Sequence, residues 1–280
     1  MTLRLDKIGP WSEIKHSIIK EYASAYATIL SAQPHFKFFY IDAFAGAGKH
    51  IRRATGEVIP GSPRIACEIK FPFQKYWFID LSKKKTDLLE QIKSDHVDLN
   101  IEILRGDCNS ILVNDIFPQI SYEQYRRALC ILDPYGLHLN WSVTEASAKQ
   151  RTIEIFVNFP IMDMNMNVLR RKNPEGTEQR QVERMNQFWG DESWRDVTYK
   201  LEPTLDLFGD ERKIKIPDAN AKLARAYRDR LKKVAGFAYV PEPIPMRNTI
   251  DRQVYFLFFA THNKTANKIM SSIFKKYRKL

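Results

Sequence analysis

Four aspartates, each at or just past the end of an apolar run, are the residues of this chain best placed for chemistry. They are Asp42, Asp80, Asp107 and Asp133. The preceding runs are short and rich in aromatic and β-branched residues, which is typical of buried strands. If these strands form an open α/β sheet, their carboxyl ends meet at one edge, where such sheets bind ligands. The sequence therefore predicts one site that gathers the four carboxylates.

The first of these runs, Phe36–Ile41, leads into the segment Asp42-Ala43-Phe44-Ala45-Gly46-Ala47-Gly48. Glycines allow backbone N–H groups to approach a ligand closely, and Asp42 can accept hydrogen bonds from a cationic amine. This combination suits the methionine part and ribose of S-adenosylmethionine (SAM). It suits a dinucleotide less well, because position 51 is isoleucine where G-x-G-x-x-G requires glycine. Taken alone, the segment is equally consistent with a strand followed by a glycine turn.

The second and third aspartates have a ligand-binding interpretation and a structural one. Asp80, the last residue of the predicted strand Lys75–Asp80, can hold ribose hydroxyls or cap the helix predicted at Ser82–Lys93. Asp107 follows the strand Asn100–Leu104 and lies where a bound adenine would lie, or else it forms a turn. Cys108, next to Asp107, is included among the predicted cofactor contacts.

The fourth strand, Ala128–Leu132, leads into Asp133-Pro134-Tyr135-Gly136. A carboxylate and a nearby backbone carbonyl can accept hydrogen bonds from an exocyclic NH2, which leaves the nitrogen lone pair free to attack a methyl group. Tyr135 offers a face on which a base can stack. The catalytic residues predicted on this basis are Asp133, Pro134 and Tyr135. The alternative is a type I turn, for which each residue type is also suitable.

A helix predicted from Ser12, as N-cap, to about Ser31 precedes the first strand. Lys15 and His16 lie near its start. They are either solvated or directed into a site near the end of the first strand. On the second interpretation, Lys15 joins the predicted cofactor-binding residues.

For the remainder of the chain, the sequence predicts a fifth strand, a helical segment and a final strand pair. Met162, Met166 and Leu169 share one predicted apolar helix face, and Arg225, Arg228 and Lys232 form a basic stripe that is either solvated or a phosphate track. The predicted elements are a strand at 151–159, helices between 161 and 234, strands at Phe237–Val240 and Val254–Ala260, and a helix at Thr265–Lys279. We predict three parts: a SAM-binding core at 1–160, a basic helical insertion or cap at 161–235, and a completing segment at 236–280.

The basic charge of the 280-residue chain is concentrated in its C-terminal part. The net charge is +11, from 44 Lys and Arg against 33 Asp and Glu. Residues 161–280 hold 24 basic and 15 acidic residues, a net of +9, which leaves +2 for residues 1–160. Such an excess favours a polyanionic partner, most simply nucleic acid, although many basic proteins bind none.

Cysteine spacing and hydropathy limit the other classes of protein. The three cysteines, Cys67, Cys108 and Cys130, are far apart and lack metal-ligand spacing. We predict buried, reduced thiols and no metal site. No apolar run has the length of a transmembrane helix, and the polar N-terminus does not resemble a signal peptide. The expected location is the cytoplasm, without a membrane partner.

The order of these motifs resembles that of class I SAM-dependent methyltransferases, and more specifically the bacterial three-Cys-motif partner proteins. The resemblance covers most of the chain but is weak from 161 to 235. The segments that carry it are Trp11-x-x-x-Lys15 with Tyr22, Ile41–Gly48, Gly61-Ser62-Pro63, Phe78-Ile79-Asp80, Leu132–Gly136 and Val157–Pro160. Ribosomal RNA adenine-N6 methyltransferases are more distantly similar.

The resemblance implies a Rossmann-like α/β fold with a mostly parallel seven-stranded sheet, an antiparallel last strand and a helical insertion. It implies that SAM is held by Asp42, Phe44, Gly46 and Gly48 at its methionine end. Asp80 would take the ribose, Asp107 the adenine amine, and Asp133-Pro134-Tyr135 the target amine. It further implies a protein partner with a three-cysteine motif. The catalytic loop departs from the Asp-Pro-Pro-Tyr loop of the ribosomal RNA adenine-N6 methyltransferases, because it has a single proline.

The function predicted from these observations is SAM-dependent methylation of an exocyclic amine of a nucleic acid base, most simply adenine N6. The single-proline loop leaves open a methyltransferase-like protein that binds nucleic acid or a partner protein without catalysis. Methylation of a protein or a small molecule is a third possibility.

Overall fold

A seven-stranded sheet forms the centre of the computed structural model, which describes residues 5–171, 174–201 and 213–279. The first five strands lie within a residue or two of their predicted positions. In chain order the strands are β1 (Lys37–Asp42), β2 (Lys75–Asp80), β3 (Ile101–Arg105), β4 (Arg126–Leu132), β5 (Ile153–Phe159), β6 (Ile244–Arg247) and β7 (Gln253–Ala260).

The order across the sheet is β3-β2-β1-β4-β5-β7-β6. Strands β1 to β5 are parallel, β7 is antiparallel to β5, and β6 is antiparallel to β7. The chain proceeds outward from β1 on one side and from β4 on the other, so the topological switch point lies between these two strands. This is the predicted Rossmann-like class I methyltransferase arrangement, and the predicted fold class is confirmed.

Ten helices of the described chain pack around this sheet or extend from it. They are α1 (Pro10–Ser31), α2 (Ser62–Cys67), α3 (Lys83–Asp95), α4 (Cys108–Ile111), α5 (Trp141–Gln150), α6 (Ile161–Asn167), α7 (Gln179–Trp189), α8 (Trp194–Thr198), α9 (Ala219–Lys233) and α10 (Lys264–Tyr277). None of these described helices combines the length and apolar character needed to span a bilayer.

Both faces of the sheet are covered, which explains why its strands are nearly continuous apolar runs. Successive residues of β1 point to opposite faces. Phe38 and Tyr40 join the core formed with α1, α3 and α10, whereas Phe39 and Ile41 join the core formed with α5, α7 and α9. The strand ends are therefore held from both sides. All three cysteines are buried and unpaired, as predicted.

Two small sheets lie outside the main one. Lys49–Arg52 and Val58–Pro60 form a hairpin after the glycine loop, and Lys7–Ile8 pairs alongside it. Tyr199–Leu201 pairs with Lys213–Lys215 within the 161–235 segment. Several apolar side chains of that segment, among them Met185 and Leu223, pack into the same core as β1 and β4. The division of the chain into three parts remains a prediction.

The predicted strand at Phe237–Val240 is wrong. Tyr239 makes an isolated bridge to Thr261, and the strand that pairs with β7 is β6, which contains Pro245 opposite Phe256. Proline lacks a backbone N–H and is tolerated in edge strands, where only one side must pair. Because β6 is at the edge of the sheet, its proline does not prevent it from forming.

One predicted helix cap and one predicted apolar face also differ from the structure. Helix α1 begins at Pro10 after Gly9, not with Ser12 as N-cap. Proline suits the first helical turn because its fixed φ is already helical. In α6, Met162 and Met166 are exposed, whereas Met164 is buried.

Candidate active site

The carboxyl ends of the parallel strands bring the predicted acids to one edge of the sheet. Asp42 and Asp80 end β1 and β2, and Asp133 directly follows β4. Asp107 lies two residues past β3. Asn158, near the end of β5, joins them. Each residue is placed there by an apolar strand whose burial fixes where the polar residue emerges.

The loop after β1 is anchored to Asp80 by a hydrogen bond. One Asp80 carboxylate oxygen accepts a hydrogen bond from the Gly46 N–H at 3.0 Å, and the other accepts from the Ser82 N–H at 2.8 Å. Gly46 and Gly48 have φ of +64° and +67°, which glycine adopts without strain. A Cβ on Gly46 would meet no atom within 4 Å, whereas one on Gly48 would lie 2.2 Å from Cδ1 of Ile92. Gly46 therefore borders open space, and Gly48 permits close packing on α3.

Asp42 is a fully buried carboxyl group at the end of β1. Its residue exposure is 0%, and neither carboxylate oxygen meets hydrogen-bond geometry with any residue in the described part of the chain. Burial, together with the negative charge of Asp133, raises the pKa of Asp42 to about 7, although the nearby Ser62 side chain, the Phe44 backbone and Lys15 oppose this rise. A buried carboxylate whose neighbours do not meet hydrogen-bond geometry is costly. The site is therefore ready to receive a hydrogen-bond donor or a cation.

Lys15, which is buried, forms an ion pair with Asp133, which is half-buried. The Lys15 ammonium donates to Oδ2 of Asp133, and the Asn158 side-chain amide donates to Oδ1 at 2.7 Å. Burial disfavours the charge on Asp133, but Lys15 and Asn158 outweigh it and lower its pKa below the ordinary value. Lys15 is only 7% exposed, so the solvated interpretation is wrong. Helix α1 directs this lysine into the site, as the second interpretation expected.

Two histidines lie beside this ion pair. His16 of α1 stacks on His50, from the hairpin after the glycine loop, with ring centroids 5.5 Å apart. Burial and the positive charge of Lys15 lower the pKa of His16 to about 3 and also lower the pKa of His50. Both rings are therefore neutral near pH 7. His16 is buried rather than solvated, and it forms part of the wall behind Lys15.

The catalytic loop presents Tyr135 at the surface. Tyr135 is 54% exposed, and its hydroxyl donates to Asp6. The ammonium of Lys85 lies 3.4 Å from that hydroxyl, 4.5 Å from the ring centroid and 3.5 Å from Asp6. The chain bends at residues 135–137, and Gly136 has a φ of +56°. The ring is thus oriented by two partners while much of it remains accessible.

The loops after β3 and β4 are joined by Asn109. Asp107 caps α4 by accepting from the Asn109 N–H at 3.1 Å, which is a helix cap rather than the turn predicted as the alternative. The Asn109 side chain donates to the carbonyl of His138 at 3.0 Å and accepts from the Asn140 N–H at 2.7 Å. Cys108 is buried in the core, and Phe44 is half-buried against the same core. Asp107 is exposed at this edge.

Sequence reasoning gave no role to three residues of this site: Asn158, His50 and Asn109. Asn158 carried a usable signal, because it lies at the end of a predicted strand, as the aspartates do. His50 and Asn109 carried none, since their positions depend on how loops distant in sequence meet. Among the described residues, no group of three or more His, Cys, Asp or Glu side chains could hold a metal ion.

The strand order and the strand-end site define a class I methyltransferase fold. No family model matches the sequence, and no curated protein matches it. Solved structures with a similar arrangement include LPL1258 from Legionella pneumophila, described with the family model DUF519, at 12% identity over 94% of this chain and 92% of that chain with a TM-score of 0.49.

Two further similar structures are methyltransferase-related by description. The N-terminal domain of EvdMO1 with SAH bound matches at 11% identity, over 85% of this chain and 80% of that one, with a TM-score of 0.40. An rRNA methylase from Streptococcus thermophilus matches at 11% identity, over 72% and 95%, with a TM-score of 0.30. The class I fold is assigned from the strand order of this chain alone.

Proposed function

We propose that this protein is a SAM-dependent methyltransferase. The observation that carries the proposal is Asp42, a fully buried carboxyl group without a hydrogen-bond partner among the described residues, at the end of β1. It lies beside the switch point, where open α/β sheets bind their ligands. The methionine end of SAM carries an ammonium group, which would supply the cation that this carboxylate lacks.

The other residues of the edge fit the rest of the cofactor. The open space beside Gly46 leaves room for a ligand next to the backbone, and Phe44 is partly exposed there. Asp80 would hold the ribose, since each of its oxygens keeps a lone pair beyond the bond it accepts. Asp107 and Cys108, after β3, would lie at the adenine. Leu81, which is exposed next to Asp80, would cover part of the adenine surface.

When bound, SAM supplies a methyl group on a sulfonium, which an unprotonated nitrogen can accept. The task of this chain is to present that nitrogen. Asp133 would accept an N–H of the target amine through its remaining lone pairs, and would thereby orient the nitrogen and stabilise the positive charge that develops on it. Lys15 and Asn158 fix the Asp133 carboxylate in position, and Pro134 restricts the loop that carries it.

An exocyclic amine of a nucleic acid base, most simply adenine N6, is the target we propose, and three observations favour a nucleic acid. Tyr135 offers an accessible ring for stacking an exposed base. Burial lowers the pKa of His138, which lies in the catalytic loop, and the positive charges of Arg184 and Arg180 on α7 lower it further. These two arginines therefore lie near the loop. They would contact phosphates near the site. The chain as a whole is basic.

The basic stripe predicted on α9 contributes less to this proposal than expected. Arg228 pairs with Glu242 at 2.6 Å and donates to the Val240 carbonyl at 2.9 Å. Its guanidinium is therefore engaged within the protein. A phosphate track would have to use other residues, and the arginines of α7 are better placed because they lie near the catalytic loop.

Membership of the three-Cys-motif partner family, with a cysteine-containing protein as partner, remains part of this proposal. Its support is the motif order of the sequence, from Trp11-x-x-x-Lys15 to Val157–Pro160. Lys15 and Asn158, two residues within those motifs, meet at Asp133. A shared role at one carboxylate explains why both motifs occur in the same chain.

A binding protein without catalysis is the second candidate, and one observation favours it. Both oxygens of Asp133 already accept a hydrogen bond, from Lys15 and from Asn158. If a substrate amine cannot replace either of these hydrogen bonds, the site would bind SAM or nucleic acid without methyl transfer. Turnover separates the two candidates, because salt-dependent binding of nucleic acid is expected for both.

The decisive experiment is methyl transfer from radiolabelled SAM. Purified protein, with any co-purified cofactor removed, would be incubated with total RNA, with genomic DNA and with unmodified poly(A), at low salt. We expect label in at least one nucleic acid, recovered after digestion as N6-methyladenosine from RNA or as N6-methyl-2′-deoxyadenosine from DNA. SAM binding with no transfer to any of these polymers would favour the binding protein, and transfer to another atom would overturn the N6 assignment.

The two glycines of the loop are expected to respond differently to the same substitution. Gly46→Asn should lower SAM affinity by about tenfold or more, because its side chain fills the open space, while asparagine tolerates positive φ. Gly48→Asn should instead cost roughly 1–3 kcal/mol of stability by overpacking on Ile92. Calorimetric titration and urea unfolding of both variants test this, and equal stability losses would contradict it.

SAM binding is expected to release a proton from Asp42 below neutral pH. The pKa of Asp42 is about 7 in the free protein, and an ammonium partner favours the ionised carboxylate. At pH 5.5 binding should release close to one proton, and affinity should rise about tenfold per pH unit towards pH 7. Calorimetry at pH 5.5 in two buffers of different ionisation enthalpy measures the release directly. Absence of both effects would show that Asp42 does not meet the amine.

A further inference from the structure

A large cavity lies at the opposite edge of the sheet from the proposed active site. Its volume is about 930 Å³, and it opens between the second half of α1 and the first half of α10, at the amino ends of β4 and β5. Glu154 lines it, whereas Asn158 of the active site lies four residues further along β5. At the rise of a strand, this places the two residues roughly 13 Å apart. The cavity is therefore separate from the active site.

The inner wall of this cavity is polar. The carboxylate of Glu154 accepts hydrogen bonds from the Tyr22 hydroxyl and from Oγ1 of Thr261, the latter at 3.1 Å. The hydroxyl of Tyr26, a residue only 7% exposed, is buried there without a hydrogen-bond partner in the described part of the chain. A carboxylate with free lone pairs and an unpaired hydroxyl are suited to a ligand that offers N–H donors.

The mouth of the cavity is cationic. The guanidinium of Arg127 lies between the rings of Phe36 and Tyr122, at 4.8 Å and 4.7 Å from their centroids. Lys149 and Arg151 also line the cavity. None of these three cations forms an ion pair with a carboxylate of the described residues. Arg127 donates one N–H to the carbonyl of Arg126, so most of its donors are free for an anion.

We propose that this cavity binds a nucleotide, with the N–H edge of its base at Glu154 and its phosphate at Arg127, Lys149 and Arg151. A carboxylate is a suitable acceptor for the exocyclic N–H groups of a base, and an arginine fork is a suitable donor to phosphate. Apolar side chains of α1 and α10, including Ile29 and Ile269, line the space between the two ends. The volume lies within the range of small-molecule sites.

The size of the cavity and the spread of its cations favour a nucleotide over a smaller zwitterion. Arg127 lies on β4, close enough to Glu154 to oppose the rise in its pKa, whereas Lys149 lies in the last turn of α5 and Arg151 directly follows that helix. A ligand that contacts Glu154 and all three cations must extend from the half-buried acid to the exposed end of α5. Nothing in this argument depends on methyl transfer, so the site can exist whether or not the active site is catalytic.

Calorimetric titration of the full chain with guanosine 5′-monophosphate tests the proposal. Burial raises the pKa of Glu154 to about 7, so the titration is run at pH 8, where the carboxylate is ionised. We expect saturable binding that is unchanged by saturating S-adenosylhomocysteine and at least tenfold weaker for guanosine, which lacks the phosphate. The other three ribonucleoside monophosphates identify the preferred base.

Two variants locate the binding. Glu154→Gln removes the charge at the inner wall, and Arg127→Gln removes a cation at the mouth, where it is less coupled to folding. Each should weaken binding at least tenfold and leave the affinity for SAM unchanged. The proposal is overturned if no monophosphate binds saturably up to about 1 mM, if S-adenosylhomocysteine displaces it, or if the folded Arg127→Gln variant binds as tightly as the wild type.

Discussion

Asp133→Asn is expected to lower the rate of methyl transfer by about 10²–10⁴-fold while changing SAM affinity by less than about threefold. The amide has nearly the same shape as the carboxylate but accepts fewer hydrogen bonds and carries no charge. It can neither orient the target amine in the same way nor stabilise the positive charge that develops on it. Single-turnover transfer from radiolabelled SAM measures the first quantity, and calorimetric titration measures the second.

The Asp133→Asn experiment needs a control for stability, because Asp133 is paired with the buried Lys15. Asp133→Asn leaves Lys15 buried without its counter-charge, and such a break commonly costs roughly 3–5 kcal/mol. The double variant Lys15→Gln/Asp133→Asn removes both charges and should recover much of that stability without recovering activity. If the folded double variant transfers methyl groups at the wild-type rate, Asp133 has no role in the chemistry.

Asp42→Asn is expected to abolish SAM binding and, above neutral pH, to stabilise the free protein. The ionised carboxylate of Asp42 is buried without a partner among the described residues, so its charge costs free energy in the absence of cofactor. A shift of the pKa from 3.8 to about 7 corresponds to about 4 kcal/mol. A buried, unsatisfied amide costs roughly 1–3 kcal/mol, so the net gain should be about 1–3 kcal/mol.

The pH dependence of this gain has a definite sign. Between pH 3.8 and about 7 the folded protein holds a proton on Asp42 that the unfolded chain has released. Wild-type stability therefore falls as the pH rises through this interval, by at most about 1.4 kcal/mol per unit, and levels off above it. The asparagine variant lacks this contribution. Its advantage should grow from pH 4 to pH 7 and then remain constant.

Urea unfolding at pH 5 and pH 8.5 measures the stability difference, and calorimetry at pH 7.5 measures SAM binding. Glu154→Gln is the matched control. It neutralises another buried acid whose pKa burial raises to about 7, and it should show a similar pH-dependent gain without loss of SAM affinity. Retained SAM binding by Asp42→Asn, or destabilisation at pH 8.5, would contradict the role assigned to Asp42.

The strands and the gathering of the acids were predictable because one physical cause sets both. A short apolar run is buried in a parallel sheet, and the first polar residue after it emerges at the carboxyl edge. Asp42, Asp80 and Asp133 follow this rule. The pairing of β6 was not predictable in the same way, since Pro245 is acceptable only at an edge strand, and the position of a strand in the sheet is a tertiary property.

Lys15 shows where local reasoning ends. A lysine near the start of an amphipathic helix is usually solvated, and nothing in its neighbouring residues indicates otherwise. Its burial depends on Asp133, which lies 118 positions away in the sequence. The same holds for Met162 and Met166, whose helical spacing suits an apolar face but whose exposure is decided by which neighbours α6 meets. Partners distant in sequence leave no trace in a local pattern.

The origin of Lys15 in α1 has a consequence for how the site is assembled during folding. The glycine loop and its flanking strands form from contacts that are comparatively near in sequence. Helix α1 must find Asp133 of the catalytic loop, and the carbonyl of Trp11 must find the Tyr255 hydroxyl, 244 positions away. Contacts of such long sequence separation carry a loop-closure cost and form slowly. A chain that has folded its strands but not yet docked its first helix would possess every aspartate of the motif and still lack a completed active site.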